Sequence, residues 1–239
     1  MLWYKSWLES RTRFIVTAAV IVGFCAFAVF FSHATGGQYN AHIYDVIYAG
    51  EAKGVFAMLS IFLGLGGLLR ERAHRSAVFT LALPVSRSRI LGAQVGIGVL
   101  QLAALSLLPA LLLPVFSLVH RQSYPVAQAL HFSVLWFVCG SIIFATAFLL
   151  SVSLAGEYTA LVVCYVLLMV HTVIATWRLL LPYRLNLMWT MGEFNTMHWN
   201  SGHKLLLSLP MPWARLFTIT AIALTMLLFA KTVAESQDF

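Results

Sequence analysis

The chain has 239 residues, of which 61% are hydrophobic and 10% are charged. Its mean hydropathy of +0.87 lies far above that of a soluble globular domain, so the composition excludes a water-soluble fold and predicts a membrane protein. The formal net charge of +7 comes from residues that flank apolar segments. Anionic headgroups and membrane topology explain charges in such places, so we expect no nucleic-acid partner.

Six apolar segments approach or exceed the roughly 20 residues that a membrane-spanning helix needs. They run from Phe14 to Phe31, Gly50 to Leu69, Ile90 to Val119, Ala127 to Leu154, Tyr158 to Leu181 and Trp213 to Lys231. Strands of a membrane barrel would alternate apolar and polar residues, whereas these segments are apolar on every face. The predicted fold class is therefore all-α, a polytopic membrane protein with six transmembrane helices in a single domain of residues 1–239.

The N-terminal segment ahead of the first span is amphipathic. Trp3 and Trp7 fall on one side of a helix, and Lys5 and Arg13 fall on another. This pattern predicts an interfacial elbow helix over residues 1–13, lying at headgroup depth. The alternative is a frayed terminus in which the aromatic residues have no special role.

The distribution of lysine and arginine predicts the orientation, because positive charge is retained on the cytoplasmic side. If the N-terminus is inside, the inner loops and ends carry Lys5, Arg11, Arg13, Arg70, Arg72, Arg75, Arg87, Arg89 and Lys231, and the outer ones carry Lys53, Arg121, Arg178, Arg184, Lys204 and Arg215. The inner charges are more numerous and more concentrated. We therefore expect a multi-pass protein of the cell membrane with both termini in the cytoplasm.

The third span is longer than a bilayer requires and contains Pro109 and Pro114. We expect the prolines to kink or tilt this helix without dividing it in two. Gly64, Gly92 and Gly96 are expected to permit close helix packing.

A charged loop, RERAHRSAVFTLALPVSRSR, joins the second and third spans at residues 70–89. Its amphipathic middle predicts a short helix along the membrane surface that ends at Pro84, because a proline disfavours helix at the residue before it. Val78, Phe79, Leu81 and Leu83 could fill a groove on a cytosolic partner, surrounded by charges that fix the register. The alternative is a basic loop that only sets the topology.

This loop resembles the first cytoplasmic loop of permease subunits of type-2 ATP-binding cassette (ABC) transporters. In that family the loop has an acid, a Gly-Thr or Gly-Ser pair, an apolar stretch and then Leu-Pro-Val-Ser-Arg. The corresponding positions here are Glu71, Ser76, Leu83, Pro84, Val85, Ser86 and Arg87, and Arg75 stands where glycine is usual. The N-terminal elbow, the six spans and the short loop SLAGEY after the fourth span extend the resemblance.

The resemblance implies a permease subunit of an ATP-driven exporter that moves a hydrophobic or amphiphilic cargo. It also implies a second permease copy, expected to form a homodimer, and a separate ATPase subunit that holds ATP and magnesium. The docking residues for that ATPase would be Glu71, Arg72, Arg75, Ser76, Val78, Phe79, Leu81 and Leu83, which form a cytoplasmic coupling helix. The sequence has no GxxxxGK[ST] phosphate-binding loop, so we expect no enzymatic activity and no cofactor in this chain.

Four polar residues within the spans are candidates for a translocation path, because polar groups in the bilayer need partners. Gln94 and Gln101 share one face of the third span, and Tyr165 and His171 lie in the fifth. These residues either line the path or form structural hydrogen bonds between helices. The pattern leaves both roles open.

The segment 182–212, rich in tryptophan and methionine, is too polar for a span and too apolar for an ordinary loop. It is either a re-entrant or lid element, or an interfacial loop anchored by tryptophans. The five-residue separation of His198 and His203 does not fit a helical zinc pair, so no metal site is predicted. Two other functional classes remain open, which are an intramembrane enzyme and a membrane scaffold or immunity subunit without transport.

Overall fold

The computed structural model describes residues 2–32, 37–65, 87–154, 156–177, 186–192, 197–199, 205–207 and 211–236. The helices are α1 (Leu2–Phe30), α2 (Gly37–Ile43), α3 (Glu51–Gly64), α4 (Arg87–Val119), α5 (Val126–Ser153), α6 (Glu157–Ala175), α7 (Leu187–Gly192) and α8 (Trp213–Ser236), with a π-helical turn at Tyr44–Ala49 between α2 and α3. Two short antiparallel strands, β1 (Met197–Trp199) and β2 (Leu205–Leu207), pair Met197 with Leu207.

Six helical segments are long and apolar enough to cross a membrane, which confirms the predicted helical fold and the number of spans. They are Trp3–Phe30, Gln38–Gly64, Ser88–Val119, Val126–Ser153, Tyr158–Ala175 and Trp213–Ser236. The β1–β2 hairpin is a small addition to the predicted all-α class. The third span is one continuous helix that contains both Pro109 and Pro114, as predicted.

Two boundaries differ from the predictions. A separate elbow over residues 1–13 is not formed, because α1 is a single helix of 29 residues. Such a helix is about 44 Å long, which matches the hydrocarbon core together with both headgroup layers. The second span begins at Gln38 and not at Gly50, since α2, the π-helical turn and α3 follow one another with only Gly50 between the turn and α3.

Helix α5 lies at the centre of the bundle. Over half of its most apolar window, 56%, is buried inside the protein, compared with 22% for α6 and for α8. It packs against α3, α4, α6 and α8, while α1 packs along α4. The approach of α3 to α5 depends on Gly64, because a Cβ at this position would lie 2.6 Å from the carbonyl oxygen of Phe144.

Helices α1 and α4 run in the same direction. Near the start of α1, Ser10 is hydrogen-bonded to Gln101 of α4, and near its end Phe30 packs against Phe116 with ring centroids 5.8 Å apart. The bundle therefore has two distinguishable ends. We call the one with the start of α1, the end of α3 and the start of α4 the loop end, and the opposite one the tyrosine end.

Candidate functional site

The π-helical turn at Tyr44–Ala49 is the least regular part of the described spans. Such π-helical turns are rare in proteins, and those that occur often lie at functional sites. The turn directs Tyr44 and Tyr48 into the protein, where each is almost completely buried. It ends at Gly50, where a Cβ would collide with the carbonyl oxygen of Asp45, so that the chain can change direction there only with glycine.

Two buried tyrosine hydroxyls are hydrogen-bonded within the chain. The Tyr39 hydroxyl lies 2.7 Å from Oγ of Ser117, which itself donates to the carbonyl oxygen of Leu113 at 2.6 Å. The Tyr44 hydroxyl donates to the carbonyl oxygen of Gly192 at 3.0 Å and so connects the turn to α7. At the tyrosine end, the first bond therefore connects α2 to α4, and the second connects the π-helical turn to α7.

Other buried polar atoms beside these tyrosines have no hydrogen-bond partner in the part of the chain that the structure describes. They are Asn40 Oδ1, the Tyr48 hydroxyl and Trp136 Nε1, whereas the side chains of Tyr124 and Gln128 interact with each other. Folded proteins have only a few such atoms per hundred residues, and each costs about 1–3 kcal/mol when it stays unpaired. Atoms without a described partner also occur on Gln94, Gln101, His131 and His171.

These groups are close together. The ring of Tyr48 stacks on Phe132 with centroids 4.1 Å apart and meets Trp136 edge-on at 5.7 Å. The Tyr124 hydroxyl is near enough to that of Tyr48 to interact with it electrostatically, and the side chain of Gln128 lies beside it. Burial raises the pKa of Tyr124, in the loop before α5, well above its ordinary value. We call the following residues the polar cluster: Tyr39, Asn40, Tyr44, Tyr48, Ser117, Tyr124, Gln128 and Trp136.

The polar cluster is electrically neutral. Among the described residues no aspartate, glutamate, lysine or arginine is buried. Asp45 and Glu51 are exposed, and Lys53 is half-buried near Gly192. No group of three or more potential metal ligands occurs in the same described ranges. The chemistry that this cluster can offer is hydrogen bonding by uncharged donors and acceptors.

An apolar cleft adjoins the polar cluster and shares Trp136 with it. It encloses about 210 Å³ of empty space but is too narrow to admit a water-sized sphere. Its lining residues are Ile21, Phe24, Cys25, Ile47, Ala52, Val55, Pro109 and Trp136. Because Pro109 has no N–H, the helix lacks its usual backbone bond to Leu105 beside the cleft.

Helix α7 covers the cluster at the tyrosine end. Asn186 Oδ1 accepts the backbone N–H groups of Met188 and Trp189, at 2.9 and 3.3 Å, which caps the start of this helix. Met191 is completely buried, whereas Trp189 is about half exposed. This part of the predicted 182–212 segment is therefore docked on the bundle.

At the loop end, Arg13 connects α1 to the last turn of α3. Its Nη1 donates to the carbonyl oxygens of Leu65 at 2.6 Å and Phe62 at 3.3 Å. Carbonyl groups at a helix C-terminus lack partners within the helix, so a cation at this position satisfies them. Residue 65 directly precedes the loop that carries the transporter-like motif.

The predicted path residues lie on two different helices. Gln101 is buried and its Nε2 donates to Oγ of Ser10 at 2.7 Å, while Gln94 is half-buried on the same helix. Tyr165 is exposed on α6 and His171 is half-buried there. Helix α4 packs mainly against α1, α3, α5 and α8, and α6 packs mainly against α3 and α5.

Of the glycines predicted to permit close packing, Gly64 and Gly96 do so. A Cβ on Gly96 would lie 2.5 Å from the ring of Trp3, whereas the position of a Cβ on Gly92 is open. All three cysteines, Cys25, Cys139 and Cys164, are buried, as expected for small apolar residues.

The polar cluster was not predicted from the sequence, because the second span was expected to begin at Gly50 and residues 37–49 fell outside every predicted span. Tyr39, Tyr44 and Tyr48 are separated by five and four residues, and this spacing places them on one face of a helix with one wide turn. That spacing was the available signal. The predicted docking residues from Glu71 to Leu83 lie outside the described residues. The same is true of His203 and of the side chain of His198.

The sequence was also compared with known proteins after this geometry was established. No protein-family model matches the chain, and no curated protein matches it either.

Proposed function

We propose that the chain is the permease subunit of an ATP-driven exporter and works with a separate ATPase subunit. The observation that carries this proposal is the sequence of the loop between the second and third spans. It combines Glu71 and Ser76 with an apolar stretch and Leu83-Pro84-Val85-Ser86-Arg87, in the order typical of type-2 ABC permeases. The cargo is hydrophobic or amphiphilic, because it must pass through a bundle with no buried charge among its described residues.

The positions of the flanking helices support this assignment. The chain leaves α3 at Leu65, whose carbonyl group is held by Arg13, and α4 begins at Arg87, immediately after the serine of the motif. A displacement of the loop by a bound ATPase would therefore act directly on two spans. Helix α4 has 33 residues and extends from there to the tyrosine end, where its Ser117 belongs to the polar cluster.

The orientation in the membrane follows from the same proposal. The first helix starts at the loop end, and the last helix ends there, since Ala230 and Ala234 pack against Leu91 near the start of α4. Both termini and the motif loop then lie in the cytoplasm, where ATP is available. The tyrosine end faces the outside of the cell membrane.

The proposed assembly contains two permease copies and two ATPases. Helices α6 and α8 have the most exposed apolar surface of the spans, including Tyr165, Phe217 and Leu224. These faces contact lipid or the second copy. A homodimer is the simplest arrangement.

Co-purification tests the proposal. If a neighbouring reading frame encodes an ATPase, the chain is expressed together with it, and the complex is assayed for ATP hydrolysis in lipid nanodiscs. The Phe79→Asp variant is expected to lose the ATPase, because it places a charge in the docking groove. Thr80→Asp adds the same charge at the next position of the proposed helix, outside the apolar set, and is expected to keep the partner.

The opposite results would overturn the proposal. If Phe79→Asp binds the ATPase and responds to it as the wild type does, the loop is not the docking element. If no ATPase co-purifies with the wild type, a scaffold or immunity role takes precedence. Catalytic activity of the isolated chain would favour the intramembrane enzyme.

A further inference from the structure

We propose that the polar cluster binds the headgroup of a neutral amphiphile that carries hydroxyl or amide groups, with its apolar chain in the adjoining cleft. The atoms of the cluster without a described partner include both a donor, Trp136 Nε1, and an acceptor, Asn40 Oδ1. A hydroxyl or amide group on the ligand satisfies both kinds of atom at once. An ether or a purely apolar group does not.

The charge of the site selects against ions. Within the described ranges no charged side chain is buried, and Lys53, beside Gly192, is only half-buried, so an ammonium, carboxylate or phosphate group inside the cluster would have no buried counter-charge. Removing such a group from water without a partner is strongly unfavourable. The ligand group in the cluster is therefore neutral.

The arrangement of polar and apolar parts along the bundle matches an amphiphile. Ser117 lies in the last turn of α4, Tyr124 in the following loop and Gln128 in the first turn of α5, which places the cluster at the depth of the headgroups. The apolar cleft extends from Trp136 to Pro109, two turns deeper along α4. The polar part of the ligand thus lies near the surface and its chain points toward the bilayer centre.

In this structure the site has no room for a ligand, so binding requires that it opens. The cleft does not admit a water-sized sphere, and α7 covers the cluster through the bond from Tyr44 to the Gly192 carbonyl. Entry of a ligand requires that α7 moves away from the turn. Breaking this one bond with Tyr44→Phe is expected to increase the rate of ligand entry.

The identification of this ligand as transported cargo depends on the proposed function, whereas binding by the chain alone does not. The binding experiment is therefore done without an ATPase, in phosphatidylcholine nanodiscs. The probe is an alkyl glucoside with a diazirine on its chain, and labelled peptides are identified by mass spectrometry. Labelling is expected within residues 37–50 and 124–136.

Competition tests the chemical class. Octyl glucoside is expected to reduce labelling, whereas octyltrimethylammonium and octyl sulfate, which have the same chain length, are expected to compete at least about tenfold less well. Equal competition by a charged amphiphile would overturn the proposal. So would labelling that is absent from both peptides.

Two tyrosines provide a matched pair of variants. Tyr48→Phe removes a hydroxyl that has no described partner in the chain, and it is expected to weaken binding up to about tenfold. Tyr158→Phe removes an exposed hydroxyl on α6, outside the polar cluster, and it is expected to leave binding unchanged. Gln128→Leu is expected to weaken binding further, since it removes an amide donor and acceptor beside Tyr124.

The three variants also separate a ligand site from a structural cluster. Unchanged labelling in both Tyr48→Phe and Gln128→Leu would show that the cluster does not bind the headgroup. The ligand could be a resident lipid or a transported cargo, which have the same chemistry. ATP hydrolysis by the proposed complex is expected to release the bound probe if the ligand is cargo, and not if it is a resident lipid. If the chain binds the probe but has no ATPase partner, the proposed binding site stands and its proposed role in export does not. The two proposals can therefore fail separately.

Discussion

The contact between α3 and α5 provides a quantitative test of the packing, through the substitution Gly64→Ala. The added Cβ would lie 2.6 Å from the carbonyl oxygen of Phe144 and 2.7 Å from Cβ of Ala147. Neither atom belongs to the far end of a flexible side chain, so the two helices must separate. Overpacking of this kind costs about 1–3 kcal/mol of stability. Gly54 lies on the same helix, and no atom is within 4 Å of its Cβ position, so Gly54→Ala is expected to stabilise by about 0.5–1 kcal/mol.

The two variants can be compared by reversible unfolding in mixed micelles of neutral detergent and dodecyl sulfate, followed by circular dichroism. The difference between them is the measured quantity, because it removes the shared effect of replacing a helical glycine. We expect Gly64→Ala to be less stable than Gly54→Ala by about 1–3 kcal/mol, which is the cost of the overpacking alone. Equal stability of the two variants would refute the close approach of α3 to α5.

Three further predictions concern individual contacts. Arg13→Gln is expected to lower the stability by about 1–2 kcal/mol, since it removes a charged donor from two carbonyl groups, whereas Arg11→Gln on the exposed side of α1 should change it by less than about 0.5 kcal/mol; thermal unfolding compares them. Gln101→Leu is expected to change the unfolding free energy by less than about 1 kcal/mol, because the lost bond to Ser10 is offset by removal of an unpaired buried oxygen, and a loss above about 3 kcal/mol would contradict this. Burial raises the pKa of Tyr124, so as the pH increases this phenol ionises in the unfolded chain before it ionises in the folded one. Its ionisation therefore does not change the stability below about pH 10 and lowers the stability above that pH. The stability of Tyr124→Phe should fall less steeply with increasing pH in alkaline unfolding experiments.

The number and helical nature of the spans could be predicted because they depend on apolar length, which is a local property of the sequence. The continuity of α4 through Pro109 and Pro114 was also predictable, since a second span would not fit in the same segment. Close helix packing at Gly64 was predictable from the residue type. Its partner, the backbone of α5 at Phe144, was not, because nothing local specifies which helix approaches.

The polar cluster could not be predicted, because its members come from four separate segments of the chain. Residues 37–49 contain Asn40 and Asp45 and fell outside the predicted spans, although Asn40 is buried and the segment is helical. Tertiary contacts of its tyrosines stabilise that segment and outweigh the local polarity. The start of the second span therefore depends on Phe132 and Trp136, which lie about 90 residues further along the chain.

Helix α4 connects the two ends of the bundle, and its prolines determine where it bends. Gln101 bonds α4 to α1 on the side of the loop end, and Ser117 bonds it to Tyr39 at the tyrosine end. Between them, Pro109 and Pro114 each remove one backbone hydrogen bond, so the helix bends most easily in this interval. If the chain works as the proposed permease, a displacement of the start of α4 by the ATPase would change the angle of its last turns and so open or close the cleft beside Pro109. Pro109→Ala restores a backbone bond and is expected to raise the thermal stability while it reduces transport at unchanged ATPase binding. If transport by this variant equals that of the wild type, α4 acts as a rigid rod and the bend is not part of the mechanism.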